Sequence, residues 1–129
     1  MKVLLDTHAF LWALTAPERL SRRARRATED EDNEVLVSAA SVWEIAIKAS
    51  LGRLDPGVAE IERSLPDEME RHAFQPLPVH VRHALRVAAL PTVHRDPFDR
   101  LLVAQAIVDD LHLVTADRKL GAYGVKVVW

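Results

Sequence analysis

The chain has 129 residues, enough for one domain, and 49% of them are hydrophobic, so one core can form without covalent staples. It has no cysteine, which excludes a disulfide framework, thiol catalysis and cysteine-ligated zinc, and fits a reducing compartment. A formal charge of −2 excludes a generally basic nucleic-acid-binding surface, so any attraction to a polyanion must be local or supplied by cations and oligomerisation.

Val3-Leu4-Leu5 is a short apolar run ending at Asp6 and predicts a buried strand. No apolar run reaches membrane-spanning length, and Asp6 interrupts the first one too early for a secretory signal, so a soluble, cytoplasmic protein is expected. Thr7 to Leu14 reads as a helix with Phe10, Leu11 and Leu14 on one side. Leu20 to Asp32 predicts a second helix with Ser21 as N-cap. Its Arg22, Arg23, Arg25 and Arg26 precede Glu29, Asp30, Glu31 and Asp32, a solvated face with internal ion pairs. The acids oppose the helix dipole, so fraying is expected near Asn33.

Val35 to Val37 predicts the second strand, and Ser41 to Leu51 a helix stopped near Gly52. Asp55-Pro56-Gly57 predicts a turn into one or two short helices reaching His72. Phe74 to Leu77 predicts a short strand. Val79 to Leu90 predicts a helix offering Val79, Ala84, Val87 and Ala88 to the core and ended by Pro91. Asp96-Pro97 is a strong helix start, a capping acid followed by proline at the first helical position, for a helix to Asp109. Leu111 to Thr115 and Val125 to Trp129 predict the last strands. The alternation, without repeat or linker, predicts one domain over residues 1–129: an α/β fold, a three-layer α/β/α sandwich around a mostly parallel sheet of four to five strands.

In such a sheet the strands end on one side, and ligands bind outside those ends at the topological switch point. Asp6 and Asp117 follow strands, and Glu44 and Asp99 fall in first helical turns. Each has a structural alternative: Ser41-x-x-Glu44 is a capping-box pattern, Asp99 suits a helix dipole, Asp117 can cap a turn, and Asp6 can end a strand. Together, four converging carboxylates repel one another unless a cation sits among them. Oxygen donors without cysteine suit hard cations, Mg2+ or Mn2+, and such sites serve phosphoryl chemistry. A cation that only stabilises the fold is the alternative.

Leu5-Asp6-Thr7-His8-Ala9-Phe10-Leu11-Trp12 resembles the opening of PIN-domain proteins, in particular the VapC-type toxins of bacterial toxin–antitoxin pairs. Ser38-Ala39-Ala40-Ser41-Val42-Trp43-Glu44-Ile45-Ala46-Ile47-Lys48, followed by Leu51-Gly52-Arg53-Leu54, resembles the segment with that family's second acid. His94-Arg95-Asp96-Pro97-Phe98-Asp99-Arg100-Leu101-Leu102-Val103-Ala104-Gln105-Ala106 is the most specific match, and Leu113-Val114-Thr115-Ala116-Asp117 completes it. The resemblance runs from Met1 to Trp129. It implies a Mg2+- or Mn2+-dependent endoribonuclease whose acids match Asp6, Glu44, Asp99 and Asp117. It also implies an RNA substrate, a cognate antitoxin of the VapB type or similar, and a homodimer.

Within that frame Asp6 and Asp99 are the expected direct metal ligands, Asp117 completes the site directly or through a metal-bound water, and Glu44 either binds metal through water or acts as base. Asp96 reads as an N-cap, with a site role as the alternative. Thr7, Ser38 and Thr115 are candidates to orient carboxylates, with a local turn or cap as the alternative for each hydroxyl. Arg95 and Arg100 flank the acid pair and are candidates to hold RNA phosphates; a weak surface ion pair is the alternative. His8, His72, His80, His83, His94 and His112 show no i,i+4 metal motif with a carboxylate partner and read as surface residues, although His80 and His83 weakly permit a metal pair. Trp12, Trp43 and Trp129 read mainly as packing, with Trp12 or Trp43 able to face a partner. A stacking platform for single-stranded RNA is the weaker reading, since aromatics make up 5% of the chain.

Three rivals compete. A receiver domain needs paired acids after its first strand, and Asp6 is followed by Thr7-His8. A haloacid-type phosphohydrolase needs an acid where His8 stands. A non-catalytic PIN-like module binding protein or RNA has no use for all four acids.

Overall fold

A computed structural model describes the backbone of residues 1–129 and all side chains except those of residues 56 and 57. Five strands form one sheet: β1 (Lys2–Leu5), β2 (Glu34–Ser38), β3 (Gln75–Leu77), β4 (His112–Val114) and β5 (Lys126–Val128). Their order is β3-β2-β1-β4-β5, and every neighbouring pair is parallel. The chain builds outward from β1 through β2 to β3, then crosses to β4 and β5 on the other side. The order therefore reverses at the β1–β4 junction, where the Asp6 N–H extends the ladder by donating to the Val114 carbonyl at 3.0 Å.

Helices cover both faces: α1 (Thr7–Thr15), α2 (Arg22–Glu29), α3 (Ala39–Ser50), α4 (Pro56–Ala59), α5 (Leu65–Arg71), α6 (Val81–Ala88) and α7 (Pro97–Val108), with short 3-10 turns at 17–19, 62–64 and 118–123. The expected turn at Asp55-Pro56-Gly57 falls partly on side chains outside the described residues. The two-residue period of the strands divides the core. Val3, Leu5, Val37 and Val114 point to one face, against Phe10, Ala24, Ile45 and Leu65. Leu4, Leu36 and Leu113 point to the other, against Leu102, Val103, Leu120 and Tyr123. Val3, Leu4 and Leu5 are wholly buried, as a central parallel strand requires, each fully buried side chain stabilising by roughly 1.5–3 kcal/mol. The three-layer sandwich expected from the alternation is present.

Two element expectations need correction. The third helix starts earlier than Ser41, because the Ser38 hydroxyl accepts the Ala40 N–H at 3.0 Å and caps it there. The helix expected over 79–90 is shorter and lies on the surface. Val79, Ala84 and Ala88 are exposed, and Val87 alone of the four is half-buried. His83, expected at the surface, is wholly buried in their place. Its Nδ1 accepts the His80 N–H at 3.0 Å and its Nε2 faces Asp109 Oδ2 at 2.9 Å, pinning α6 to the end of α7. Against the cost of partial burial, the His83 and Arg82 donors hold the Asp109 carboxyl below its usual range. In the second helix, Arg25 pairs with Glu29 at 2.8 Å as expected, and the helix stops at Glu29, where the Asn33 amide donates to the Ala27 carbonyl at 3.0 Å.

Candidate metal centre and active site

Asp6 leaves the end of β1 and caps α1, its Oδ1 accepting the Ala9 N–H at 2.7 Å. The side chain is nearly buried, and burial pushes its carboxyl above the ordinary value; the Thr115 hydroxyl, the Ala9 N–H and His8 oppose the rise, and Glu44 adds to it. Glu44, also buried, comes from α3. Its Oε1 accepts the Thr7 hydroxyl at 2.7 Å, and its Oε2 pairs with Lys48 Nζ, one turn on, at 2.7 Å. Thr7 Oγ1 also lies 3.1 Å from Ser41 Oγ. The single Thr7 proton serves the carboxylate, so Ser41 donates to Thr7.

Asp96 and Pro97 open α7 as the sequence predicts: Asp96 Oδ1 accepts the Phe98 N–H at 2.9 Å and the Asp99 N–H at 3.4 Å. Asp99 then projects toward the others. Burial, followed by the charges of Asp96 and Asp6, raises its carboxyl from 3.8 to about 7, with His94 opposing and Glu44 adding to the rise. Asp117 follows β4 and caps the 118–123 turn, Oδ1 accepting the Lys119 N–H at 3.0 Å. Its own N–H donates to Thr115 Oγ1 at 3.1 Å, so one buried threonine serves both Asp6 and Asp117.

His94 joins the acids. Its Nε2 lies 3.2 Å from Asp117 Oδ2 and 3.6 Å from Asp99 Oδ2. One ligand atom each from His94, Asp99 and Asp117 falls within 4.8 Å of the other two. Its Nδ1 accepts the Asp96 N–H at 3.0 Å, which leaves the hydrogen of the neutral ring on Nε2. In this tautomer Nε2 presents a hydrogen, not a lone pair, on the side of the acids. The loop carrying it is tied down by Tyr123, whose hydroxyl accepts the His94 N–H at 2.8 Å.

The structure thus brings Asp6, Glu44, Asp99 and Asp117 to one edge, with Thr7 and Thr115 against two of them and Asp96 as the cap beside Asp99. Ser38 and Arg100 are not brought there. The Ser38 hydroxyl donates to Gln105 Oε1 at 2.6 Å instead of to a carboxylate. Arg100 turns away, donating to the carbonyls of Pro91 at 2.9 Å and Val87 at 3.1 Å and to the Tyr123 hydroxyl at 3.2 Å. Consecutive helical residues point about 100° apart, so a side chain next to Asp99 cannot share its direction. Arg95 is exposed, with no carboxylate partner among the described residues. Sequence reasoning missed His94 and Lys48; the Glu44–Lys48 i,i+4 spacing was the available signal for the second.

The donor set fits a hard divalent cation: it is rich in oxygen, and burial together with neighbouring acidic charge raises the carboxyls of Asp6 and Asp99, a cost that a cation among them would relieve. An all-parallel α/β sheet with such a cluster at its switch point defines an acid-cluster protein of the doubly covered α/β class. The sequence pattern of the PIN domain matches residues 3–126, and the chain belongs to that family. It is 35% identical over 129 residues to ribonuclease VapC22 of Mycobacterium tuberculosis (strain ATCC 25618 / H37Rv), covering 94% of this chain and 91% of that one. Ribonuclease VapC16 of the same organism is 36% identical over 90 residues, 68% of this chain and 63% of that one. Among solved structures, VapBC2 from Rickettsia felis, bound to a DNA fragment from its promoter, matches with a TM-score of 0.75 at 17% identity, covering 98% of this chain and 97% of that one. FitAcB from Neisseria gonorrhoeae matches with a TM-score of 0.67 at 21% identity, covering 97% and 95%. At these identities the two structures speak to the fold alone.

Proposed function

We propose that this chain is a metal-dependent endoribonuclease, one nuclease domain over residues 1–129, and the toxin of a toxin–antitoxin pair. The observation that carries the reading is the convergence of buried Asp6 and half-buried Asp99 at the sheet's switch point, with both carboxyls raised above the ordinary range. The 35% identity to a ribonuclease over nearly the whole chain supports the same reading.

Asp6, Asp99 and Asp117 would hold Mg2+ or Mn2+, with Glu44 completing the set. When bound, such a cation supplies Lewis acidity toward the phosphate and makes a nucleophile of water at neutral pH. The chain's own residues fix the acids. Thr115 and the Ala9 N–H set the direction of Asp6, and His94 and the Lys119 N–H set that of Asp117. Both Glu44 oxygens already accept hydrogen bonds, which favours a fixed acceptor over a mobile base. The reaction would be hydrolysis: the water oxygen bonds to phosphorus as the bond to one ribose oxygen breaks, water gives up a proton and the departing oxygen takes one up, with inversion at phosphorus.

An antitoxin partner is supported by solved toxin–antitoxin proteins that share the fold and by a groove of about 450 Å³ beside Thr7 and Lys48, lined also by Leu11, Trp12, Arg19 and Leu54. A homodimer is supported by α6, where Val81 and Leu85 are 76% and 69% exposed on one face. No helix is long and apolar enough to cross a membrane, and we assign the protein to the cytoplasm. The test is digestion of total cellular RNA by the purified chain with Mg2+ or Mn2+, beside an EDTA control. Discrete fragments that vanish with EDTA are expected; fragments undiminished by EDTA would contradict a metal-dependent reaction.

A further inference from the structure

We propose that Trp43 and Phe98 form a stacking subsite for one unpaired nucleobase of the RNA, next to the phosphate to be cut. The proposal rests on the ribonuclease reading and adds to it a place where one base flanking the cut is held.

Trp43 immediately precedes Glu44 on α3, and Phe98 immediately precedes Asp99 on α7. The turn of about 100° per helical residue sends each acid inward and sets each ring beside it at the rim. Glu44 is 5% exposed while Trp43 is 60% exposed. The two rings meet edge to face, centroids 5.3 Å apart at 67°, which braces the indole on one side. The other large aromatics are used differently. Trp12 packs on Trp129 and carries Arg19 on its ring, and Phe10 packs on Phe74 in the core. Among the described residues Trp43 is the exposed large aromatic, and the packing of the core does not need it there.

A π-surface held rigidly at the edge of a phosphoryl-transfer site suits a nucleobase, because every base has a π-face and stacking on an aromatic ring requires that base to be unpaired. The exposed Arg95 stands one residue before Asp96, the cap of the helix that carries Phe98, and is a cation available to the backbone. One braced ring pair holds one base. The expected consequence is discrimination at a single position flanking the cut, not along an extended strand.

The test uses an oligoribonucleotide whose cleavage site has been mapped, with the base on either side of the cut replaced in turn by an abasic residue. kcat and KM are measured for wild type, Trp43→Ala and Trp43→Phe, and sedimentation reports oligomeric state. For wild type, the abasic change at one flanking position is expected to lower kcat/KM roughly tenfold, mainly through KM. Trp43→Ala is expected to lose about as much on the intact RNA and then be indifferent to the abasic change, and Trp43→Phe to keep most of the discrimination. A wild type that cleaves RNA but ignores the abasic change overturns the subsite and leaves the ribonuclease reading standing. A Trp43→Ala chain that keeps wild-type sensitivity, or that loses activity only by dissociating a dimer, also overturns it, the second outcome assigning the ring to a second copy of the chain. A wild type that cleaves no RNA removes both readings.

Discussion

His94 Nε2 stands 3.2 Å from Asp117 Oδ2 and 3.6 Å from Asp99 Oδ2, while Nδ1 of the same ring accepts the Asp96 backbone N–H. The ring therefore bridges two acids from separate elements, one after β4 and one in α7, and its tautomer is set by the helix start between them. Replacing His94 with Ala removes the ring that opposes the rise of the Asp99 carboxyl, so that carboxyl is expected to move above about 7. A carboxyl NMR titration of wild type and variant reads this directly. An unchanged Asp99 midpoint would mean that the ring does not face the acids in solution.

The raised carboxyls set a pH dependence of stability. Asp99 moves from 3.8 to about 7 on folding, so within that window the folded chain binds more protons than the unfolded one. Its stabilising contribution is fully present below 3.8 and is lost as pH rises through about 7. Asp6 acts in the same direction. Asp109, lowered on folding, acts in the opposite sense, but its contribution is lost only as pH falls below the ordinary 3.8. With EDTA present, Tm is expected to be lower near pH ~8 than near pH ~5, and Asp99→Asn to flatten the difference. Added Mn2+ competes with protons for the same oxygens, so it should raise Tm more at the higher pH. A cation response independent of pH would argue against those carboxylates as its ligands.

Thr115 is wholly buried and serves Asp6 and the Asp117 N–H together. Thr115→Val keeps the shape and removes the hydroxyl. Groups that orient ligands in this way typically matter by 10–100-fold in metal affinity, so a loss of roughly tenfold in Mn2+ affinity by calorimetry is expected. Equal affinity in the variant would show that Asp6 is positioned by the Ala9 N–H alone.

The His83–Asp109 bond lies apart from the acids and concerns stability. Asp109→Ala leaves a buried imidazole N–H without its acceptor and frees Arg82. A loss of about 1–3 kcal/mol in urea denaturation is expected, with RNA cleavage retained where the chain stays folded. A variant as stable as wild type would mean that α6 is held by Val87 packing and the Arg100 contacts instead.

The fold and the acids were legible because both rest on local signals. Strand-length apolar runs alternate with capped helices, and each acid follows a strand or sits near a helix start, so parallel topology alone gathers them. Directions around a helix were not legible. Arg100 resembles a phosphate ligand because it adjoins Asp99, yet the helical turn sends it to the carbonyls that end α6. His83 and His94 look like surface histidines in isolation. The burial of His83 and the approach of His94 to the acids depend on how α6 and the 91–96 loop lie over α7, which no local pattern encodes. Ser38 and Ser41 could each cap α3, and the strand end decided it: Ser38 has the extended backbone of an N-cap, and Ser41 lies within the first turn.

The central claim is that hydrolysis occurs at the converged carboxylates. The measurement that tests it most directly is the cleavage rate of one defined RNA at saturating Mn2+ by wild type and Asp99→Asn, with folding of both checked by circular dichroism. The account predicts a loss of at least about 100-fold in the variant, as expected when a group stabilising the transition state is neutralised. A folded Asp99→Asn chain that cuts the same RNA at the wild-type rate would contradict it.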